Sequence, residues 1–411
     1  MLTAPFSMRA LEREIASTEL RNHPALKPAG AKDSVLKQAT SICGHGFAGL
    51  SPKTVSLRGK DVYTIDQVQF DLVVRHLNRQ IKRVSKTKQS DRNIIIKRIK
   101  SICEEGIPHN IYKLDIKNFY ESIDSSELLE FISSNYSFDR RTVKILSMFM
   151  DRWSHLGGLP RGLSISATLS ELAMKIFDDA LKMRGDVYFY SRYVDDIIII
   201  TGGKENKESF LSEISKLLPF SLKFKDEKTK ITSINDATQP AIPQFPFSFD
   251  FLGYVFRISV IKRKESRLYR AVSLDVAEKK VKRIKTKLVR SFIEFEKDGK
   301  FHDLVDRIFI ISANYNYKDY SKNRRLNLGF YCTYRQIDFI NSEAIKSLDK
   351  FLAAYILGYG GKQSKKVNLK LTKPQKEYLL KISFRANFEK RTFFQIKSKD
   401  LVRLKGCWQY V

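Results

Sequence analysis

Residues 191–200 read SRYVDDIIII. Two aspartates, Asp195 and Asp196, stand side by side at the head of four isoleucines, in a stretch whose other members favour burial. Unit charges about 4 Å apart repel by roughly 4 kcal/mol even at an effective dielectric of about 20. Such a pair persists where protonation or a cation relieves it. The apolar segments on either side, DVYFYSRY and IIIIT, predict two strands of a hairpin with the carboxylates at its tip.

The 411 residues leave room for two or three structural units and a substantial core. With 43% hydrophobic and 29% charged residues, the chain reads as globular rather than disordered. Its 74 Lys and Arg against 45 Asp and Glu give a formal charge of +29, which calls for a polyanionic partner. Nucleic acid leads, and a basic protein that touches an anionic membrane is the alternative. Cys43, Cys103, Cys332 and Cys407 are scattered, with no paired zinc spacing, and read as reduced thiols. Neither an export signal nor a membrane-length apolar run is visible, so a soluble, cytoplasmic protein with no membrane partner is expected.

TVSLRGKDVYTI, residues 54–65, predicts a hairpin that carries Arg58 and Lys60 at an exposed tip. A helical pattern starts at Asp66, and the basic run over 75–100 keeps Leu77, Ile81 and Val84 at helical spacing. NIYKLDIKNFYESID, residues 110–124, predicts a short strand running toward a helix capped by Asp124. A helix around 140–150 follows. After the turn in HLGGLPRGL comes a helix with Ile165, Leu169, Leu172, Ile176 and Phe177 as its buried positions. Further on are a helix near 205–218, a Pro-rich loop at 240–246 and FDFLGYVFRI as one strand. From about 270 the chain reads as mainly helical. There Val281, Ile284, Leu288 and Phe295 form a buried stripe, and Lys279, Lys282, Arg283, Lys285 and Lys287 face outward.

A third carboxylate, Asp115, lies on the short strand of NIYKLD. If that strand neighbours the one after Asp196 in an antiparallel sheet, Asp115 and Asp195 can hold two hard cations through oxygen ligands. Two such ions roughly 3.5–4 Å apart clamp an in-line phosphoryl displacement, one activating a 3′ hydroxyl and the other neutralising pyrophosphate. An ordinary polar turn is the plain alternative. The apolar flanks and the companion segments weigh against it.

YVDD after an apolar strand, LDIKNFYESID upstream and GLPRGLSISATLSE between them resemble, in order, motifs C, A and B of reverse transcriptases. LKFKDEKTK and FDFLGYVF resemble the two motifs that follow. The likeness covers residues 53 to about 258 and implies an α+β right-hand polymerase. Its parts would be an N-terminal helical extension (1–52), fingers (53–110), palm with part of the fingers (111–258), and a helical thumb and C-terminal region (259–411).

Carried over by position, the resemblance makes Asp115, Asp195 and Asp196 the catalytic acids, with Asp196 the least directly metal-bound, and adds the Ile116 carbonyl to the metal shell. Tyr120 falls where the family's steric gate selects deoxynucleotides. Arg161 stands where glutamine is usual, so it would touch phosphate or stack on a base. Arg58, Lys60 and Lys228 either approach the triphosphate or are surface charges. Lys279, Lys282, Arg283 and Lys287 would hold nucleic acid on the thumb.

The implied activity is RNA-directed DNA synthesis from dNTPs with two Mg2+ ions, Mn2+ being the alternative. VVRHLNRQIKRVSKTKQSDRNIIIKRIK, EEGIPHNIYKLDIKNFYESI and DRIFIISANYNY look most like the unclassified bacterial reverse transcriptases of phage-defence and abortive-infection systems. That likeness implies a noncoding RNA as template or scaffold, a DNA product, and a second defence protein or a second copy of the chain as partner. Protein-primed or untemplated polymerisation, and a non-catalytic RNA-binding scaffold, are the competing functions.

Overall fold

The computed structural model describes residues 5–16, 19–20, 23–57, 59–235, 244–319 and 324–409. The chain divides into two compact units. One comprises Met1–Ile95 with Ile107–Asn235, and the other Ile96–Gly106 with Asp236–Val411.

In the first unit, helices α1 (Met8–Glu12) and α2 (Ala31–His45) precede a hairpin of β1 (Lys53–Leu57) and β2 (Lys60–Thr64). Leu57 pairs with Lys60, so the turn is two residues long and Gly59 takes φ +74°, a conformation glycine enters without penalty. Helix α3 (Val68–Ser85) buries Leu77 and Ile81 as the spacing predicts. Helix α4 (Arg92–Cys103) leads out of the unit, and β3 (His109–Asp115) returns to it.

Two helices follow, α5 (Ser125–Asn135) and α6 (Arg140–Trp153). Asp124 caps α5 by accepting from the Ser126 and Glu127 amides at 2.8 and 2.9 Å. Helices α7 (Ser164–Ala173) and α8 (Lys175–Lys182) lie where one continuous helix is expected. The chain breaks phase at Met174 (ψ −2°), so Phe177 and Leu181 take the buried face while Ile176 is 51% exposed, contrary to the periodic reading.

Strands β4 (Val187–Tyr193) and β5 (Asp196–Thr201), helix α9 (Lys207–Lys216) and strand β6 (Lys230–Ile234) complete the unit. The sheet order is β4-β5-β3-β6, antiparallel throughout. Strand β3 is therefore central. It is buried on both faces, which explains why IYKL lacks a clean polar alternation. One contiguous core that includes Tyr112, Leu114, Phe149, Trp153, Phe177, Ile197 and Ile199 packs this sheet against its helices.

The second unit departs further from expectation. The proline-rich loop lies mostly outside the described residues. FDFLGYVFRI is two strands, β7 (Phe247–Phe251) and the first part of β8 (Tyr254–Lys264), joined through Leu252 (φ 45°) and Gly253 (φ 82°). Both turn residues have positive φ, the requirement of a two-residue hairpin turn that follows the twist of its strands. Strand β9 (Arg267–Val276) extends the sheet up to the helical segment, which starts at α10 (Glu278–Asp298) rather than near 270. Helix α11 (Phe301–Ser312) is followed by β10 (Asn314–Asp319) and β11 (Arg324–Gly329), and a single turn, α12 (Phe330–Thr333), closes the pair.

Helices α13 (Glu343–Ile356), α14 (Lys362–Lys370), α15 (Lys373–Leu380) and α16 (Phe384–Glu389) come next, then β12 (Phe393–Gln395) parallel to β10, and finally α17 (Ser398–Lys405). Val281, Leu288 and Phe295 are buried along α10 as expected. Arg283, Lys285 and Lys287 are half-buried instead of outward, because α13 and the C-terminal turn pack against their stems.

Candidate active site at the ends of strands β3 and β5

The C-terminal end of β3 is pinned from both sides. The Ile116 amide donates to the Asp195 carbonyl at 3.3 Å, and the Lys225 amide donates to the Asp115 carbonyl at 2.7 Å. Asp115 stands opposite Asp196 in the β3–β5 register. Asp196 pairs with Tyr193 across the hairpin, so the turn itself is Val194-Asp195 and Asp196 opens the strand.

Val194 has φ 61°. A β-branched residue in that region costs on the order of 1–3 kcal/mol and needs its surroundings to hold it. Arg192, 5% exposed, supplies the hold: its Nη1 donates to the Val194 carbonyl at 3.0 Å. The same guanidinium meets Glu171 Oε2 and Asp178 Oδ2, each at 2.8 Å, and Tyr190 Oη donates to Asp178 at 2.5 Å. Burial pushes the Glu171 carboxyl up while Arg192 opposes that rise. This buried network ties α7 and α8 to the turn that carries Asp195.

Asp115, Ile116 and Asp195 line one cavity of about 460 Å³, together with Lys60, Arg161 and Lys228. Asp196 is not part of its wall. Burial raises the Asp195 carboxyl, with Asp115 adding to the rise. Burial, then Asp195 and Asp115, push Asp196 up to about 6. Lys228 Nζ lies 2.5 Å from Asp115 Oδ2. Burial works against that ammonium, but its bond to Asp115 and the charges of Asp195 and Asp196 lift it overall.

Among the described residues, no three Asp, Glu, His or Cys side chains are already gathered as a metal cage. The donor chemistry nonetheless suits a hard divalent cation, with the carboxylate-bearing Asp115 and Asp195 on one cavity wall. Burial first, and the neighbouring carboxylates after it, disfavour the charged forms of Asp195 and Asp196, a cost that such an ion would offset.

Tyr120 is half-buried and its hydroxyl is raised by burial. The Arg161 guanidinium lies 5.0 Å from its ring centroid, within cation–π range. Arg161 also pairs with Glu121 at 3.1 Å, and Lys60 reaches the same carboxylate at 3.3 Å and Asn118 Oδ1 at 3.1 Å. Glu121, overlooked in the sequence, thus gathers two of the expected cations at the cavity. Arg58 lies outside the described residues. Lys279 and Lys282 are exposed on α10 in the second unit, and Lys282 pairs with Glu278 at 2.7 Å.

The glycines of GLPRGL serve the fold directly. A Cβ on Gly158 would stand 2.5 Å from the Glu121 carbonyl, and one on Gly162 (φ +103°) 2.6 Å from Val62 Cγ1. The backbone of Tyr120 and Glu121 and the residues of β2 fill the space beside these two glycines. Arg192 was also overlooked. Its signal was present as the lone cation in VYFYSRY, with SELAMKIFDD supplying the buried acids.

Carboxylates on adjacent strand ends, a ring packed beneath a guanidinium and lysines facing the acids define a site suited to nucleotidyl transfer. Residues 66–256 match the family described as "Reverse transcriptase (RNA-dependent DNA polymerase)". The matched segment spans 191 of the 411 residues, and the fold that goes with it is that of a right-hand polymerase. Reverse transcriptases as a family use divalent metal ions.

No curated protein matches the chain. Among solved structures, it is similar to apo telomerase from Candida tropicalis truncated from the C-terminal domain, at 15% identity and TM-score 0.33 over 51% of this chain and 53% of that one. It is also similar to telomerase from Candida albicans in complex with a TWJ fragment of telomeric RNA, at 12% identity and TM-score 0.38 over 78% of this chain. The chain spans 64% of that second structure. No helix among the described residues is long and apolar enough to cross a membrane.

Proposed function

We propose that the protein copies RNA into DNA, joining dNTPs by two-metal nucleotidyl transfer at Asp115, Asp195 and Asp196. The observation that carries the reading is the shared cavity wall of Asp115, Ile116 and Asp195, faced by Lys60, Arg161 and Lys228. Divalent ions held by the three carboxylates and the Ile116 carbonyl would activate the 3′ hydroxyl and neutralise the departing pyrophosphate.

The chain's own side chains do the rest. Lys60, Lys228 and Arg161 bring positive charge to the triphosphate, and Lys228 yields Asp115 when a stronger counter-charge arrives. Tyr120 supports the sugar and leaves no room for a 2′ hydroxyl. In this reading residues 53–110 act as fingers, 111–258 as palm and 259–411 as thumb and C-terminal region, with Lys279, Lys282, Arg283 and Lys287 on the nucleic acid. Purified protein should incorporate dNTPs on an RNA template with Mg2+, and Asp195→Ala should abolish it. Undiminished incorporation by that variant would remove the site.

The finer biological reading is a cytoplasmic anti-phage enzyme that works on an associated noncoding RNA. Its support is the likeness of RHLNRQIKRVSK, EEGIPHNIYKLDIKNFYESI and DRIFIISANYNY to defence-associated enzymes. Sequencing the RNA and DNA that co-purify tests it: DNA complementary to one bound RNA is expected, and random host RNA without complementary DNA refutes it.

Arg161 favours one competing reading, protein-primed or untemplated synthesis, because the residue at the template-side position is engaged with Glu121. Product made unchanged after RNase pretreatment would select that reading.

A further inference from the structure

Lys60, Asn118 and Arg161 stand in the walls of two cavities at once, both within the first unit. One is the carboxylate cavity, and the other encloses about 320 Å³. Glu121 lines only the second, so it meets both cations outside the cavity of Asp115 and Asp195. Its carboxylate takes one edge of the Arg161 guanidinium: Nε and Nη2 donate to Oε1 at 3.2 and 3.1 Å, and Nη2 also donates to Oε2 at 3.2 Å. Nη1 keeps its own N–H donors and gives them to no described residue. Lys60 Nζ donates to Glu121 Oε2 at 3.3 Å and to Asn118 Oδ1 at 3.1 Å.

The backbone braces this arrangement. The Tyr63 amide donates to the Arg161 carbonyl and the Leu159 amide to the Tyr120 carbonyl, each at 2.8 Å. The Tyr120 ring, 5.0 Å from the guanidinium, limits its remaining freedom. Burial would raise the Glu121 carboxyl, but its backbone hydrogen bond, Arg161 and Lys60 outweigh burial and hold it below the usual range. Arginine and lysine lose much rotamer freedom when fixed, and a part-exposed ion pair returns little stability for that loss. What the contact secures is direction: the paired edge of Arg161 is spent on Glu121, and its other nitrogen is left for a ligand.

We propose that Glu121 is a positioning residue for nucleotide binding. By taking the Nε–Nη2 edge it offers Arg161 Nη1 to a phosphate oxygen of the incoming deoxynucleoside triphosphate, and it steadies Lys60 beside it. A guanidinium fixed as a planar fork meets less ordering cost on binding than a free one. Glu121 itself touches no nucleotide and acts through the two cations. The inference rests on the reading of the carboxylate cavity as a polymerising site.

The test measures single-nucleotide incorporation by the full chain on an RNA template with a DNA primer and Mg2+. Parent, Glu121→Gln, Arg161→Ala and the double variant are compared, with inorganic tripolyphosphate as a competitor of the dNTP. Gln keeps the volume of Glu121 and one acceptor oxygen while losing the charge, and circular dichroism verifies each fold.

Glu121→Gln should raise the KM for dNTP about three- to tenfold, the effect of long side chains that must be ordered anew on binding. Its kcat should stay within about twofold of the parent, and the KM for primer–template should not move. The inhibition constant of tripolyphosphate should rise by the same factor as the dNTP KM, because the lost contact is to phosphate. In the Arg161→Ala background the substitution should add less than about twofold, the mark of a residue that acts through another. A KM that is unchanged or lower in Glu121→Gln, an additive double variant, or an unmoved tripolyphosphate constant overturns the inference. In those cases an active parent that is silenced by Asp195→Ala leaves the polymerase reading standing. Incorporation that survives Asp195→Ala defeats that reading and this inference with it.

Discussion

The carboxylate pair at the head of β5 should destabilise the metal-free protein, and replacing Asp196 tests this directly. Asn preserves the shape of Asp196 and one of its two acceptor oxygens while removing its charge. A carboxyl raised from 3.8 to about 6 carries a penalty of roughly 3 kcal/mol when ionised, at about 1.36 kcal/mol per pKa unit. Partial solvation at the strand end lowers the expected gain to about 1–2 kcal/mol.

The sign follows from proton linkage. Between the unfolded value near 3.8 and the folded value near 6, the native state binds more protons than the unfolded state, so this group's contribution to stability falls as pH rises through that window. Below it the penalty is absent, and above it the penalty is full. Asp196→Asn should therefore melt higher than the parent at pH 7.5 in EDTA, by roughly 2–8 °C at about 2–4 °C per kcal/mol for a unit of this size. The two proteins should converge near pH 4. Adding Mg2+ should stabilise the parent more than the variant, because a ligand stabilises only the state that binds it, and the variant should be inactive in dNTP incorporation. A variant less stable than the parent at pH 7.5, or a difference that does not change with pH, would refute the claim that Asp196 is held against its own repulsion.

Arg192→Leu leaves Glu171 and Asp178 buried without their counter-charge, so a loss of about 3–5 kcal/mol is expected in chemical denaturation. Activity should fall even at temperatures where circular dichroism reports a folded chain, since the Val194 carbonyl loses its anchor. Gly162→Ala forces a Cβ against Val62 at φ +103°; a cost above about 1 kcal/mol is expected, visible as a lower melting midpoint. Tyr120→Ala should lower discrimination between dNTPs and rNTPs by about tenfold or more in direct competition, and unchanged selectivity would return the ring to a packing role.

Features that depend on spacing alone were legible in the sequence: the hairpin at Gly59, the strand of IYKLD and the cap at Asp124; the sheet pairing was expected to set Asp115 against Asp195, whereas the register puts Asp196 opposite it and leaves Asp195 in the turn. Features that depend on a single residue's backbone state were not. Leu252-Gly253 reverses the chain inside what reads as one strand, because Gly253 is the sole local signal and a leucine stands where a turn usually has Asn or Asp. Met174 interrupts a helix whose side-chain periodicity runs straight through it, and Ile176 is left in solvent as a result.

The site shows the same division. A lone arginine in an apolar strand predicts a buried acid somewhere, but only the fold reveals that Glu171 and Asp178 are the acids and that the spare N–H of Arg192 holds the carbonyl next to Asp195. One buried arginine and two half-buried acids together fix one strained turn. Because breaking a buried pair costs more than the pair contributes, the network over-determines the Val194 conformation, and the carboxylate after it is set before any cation or nucleotide arrives.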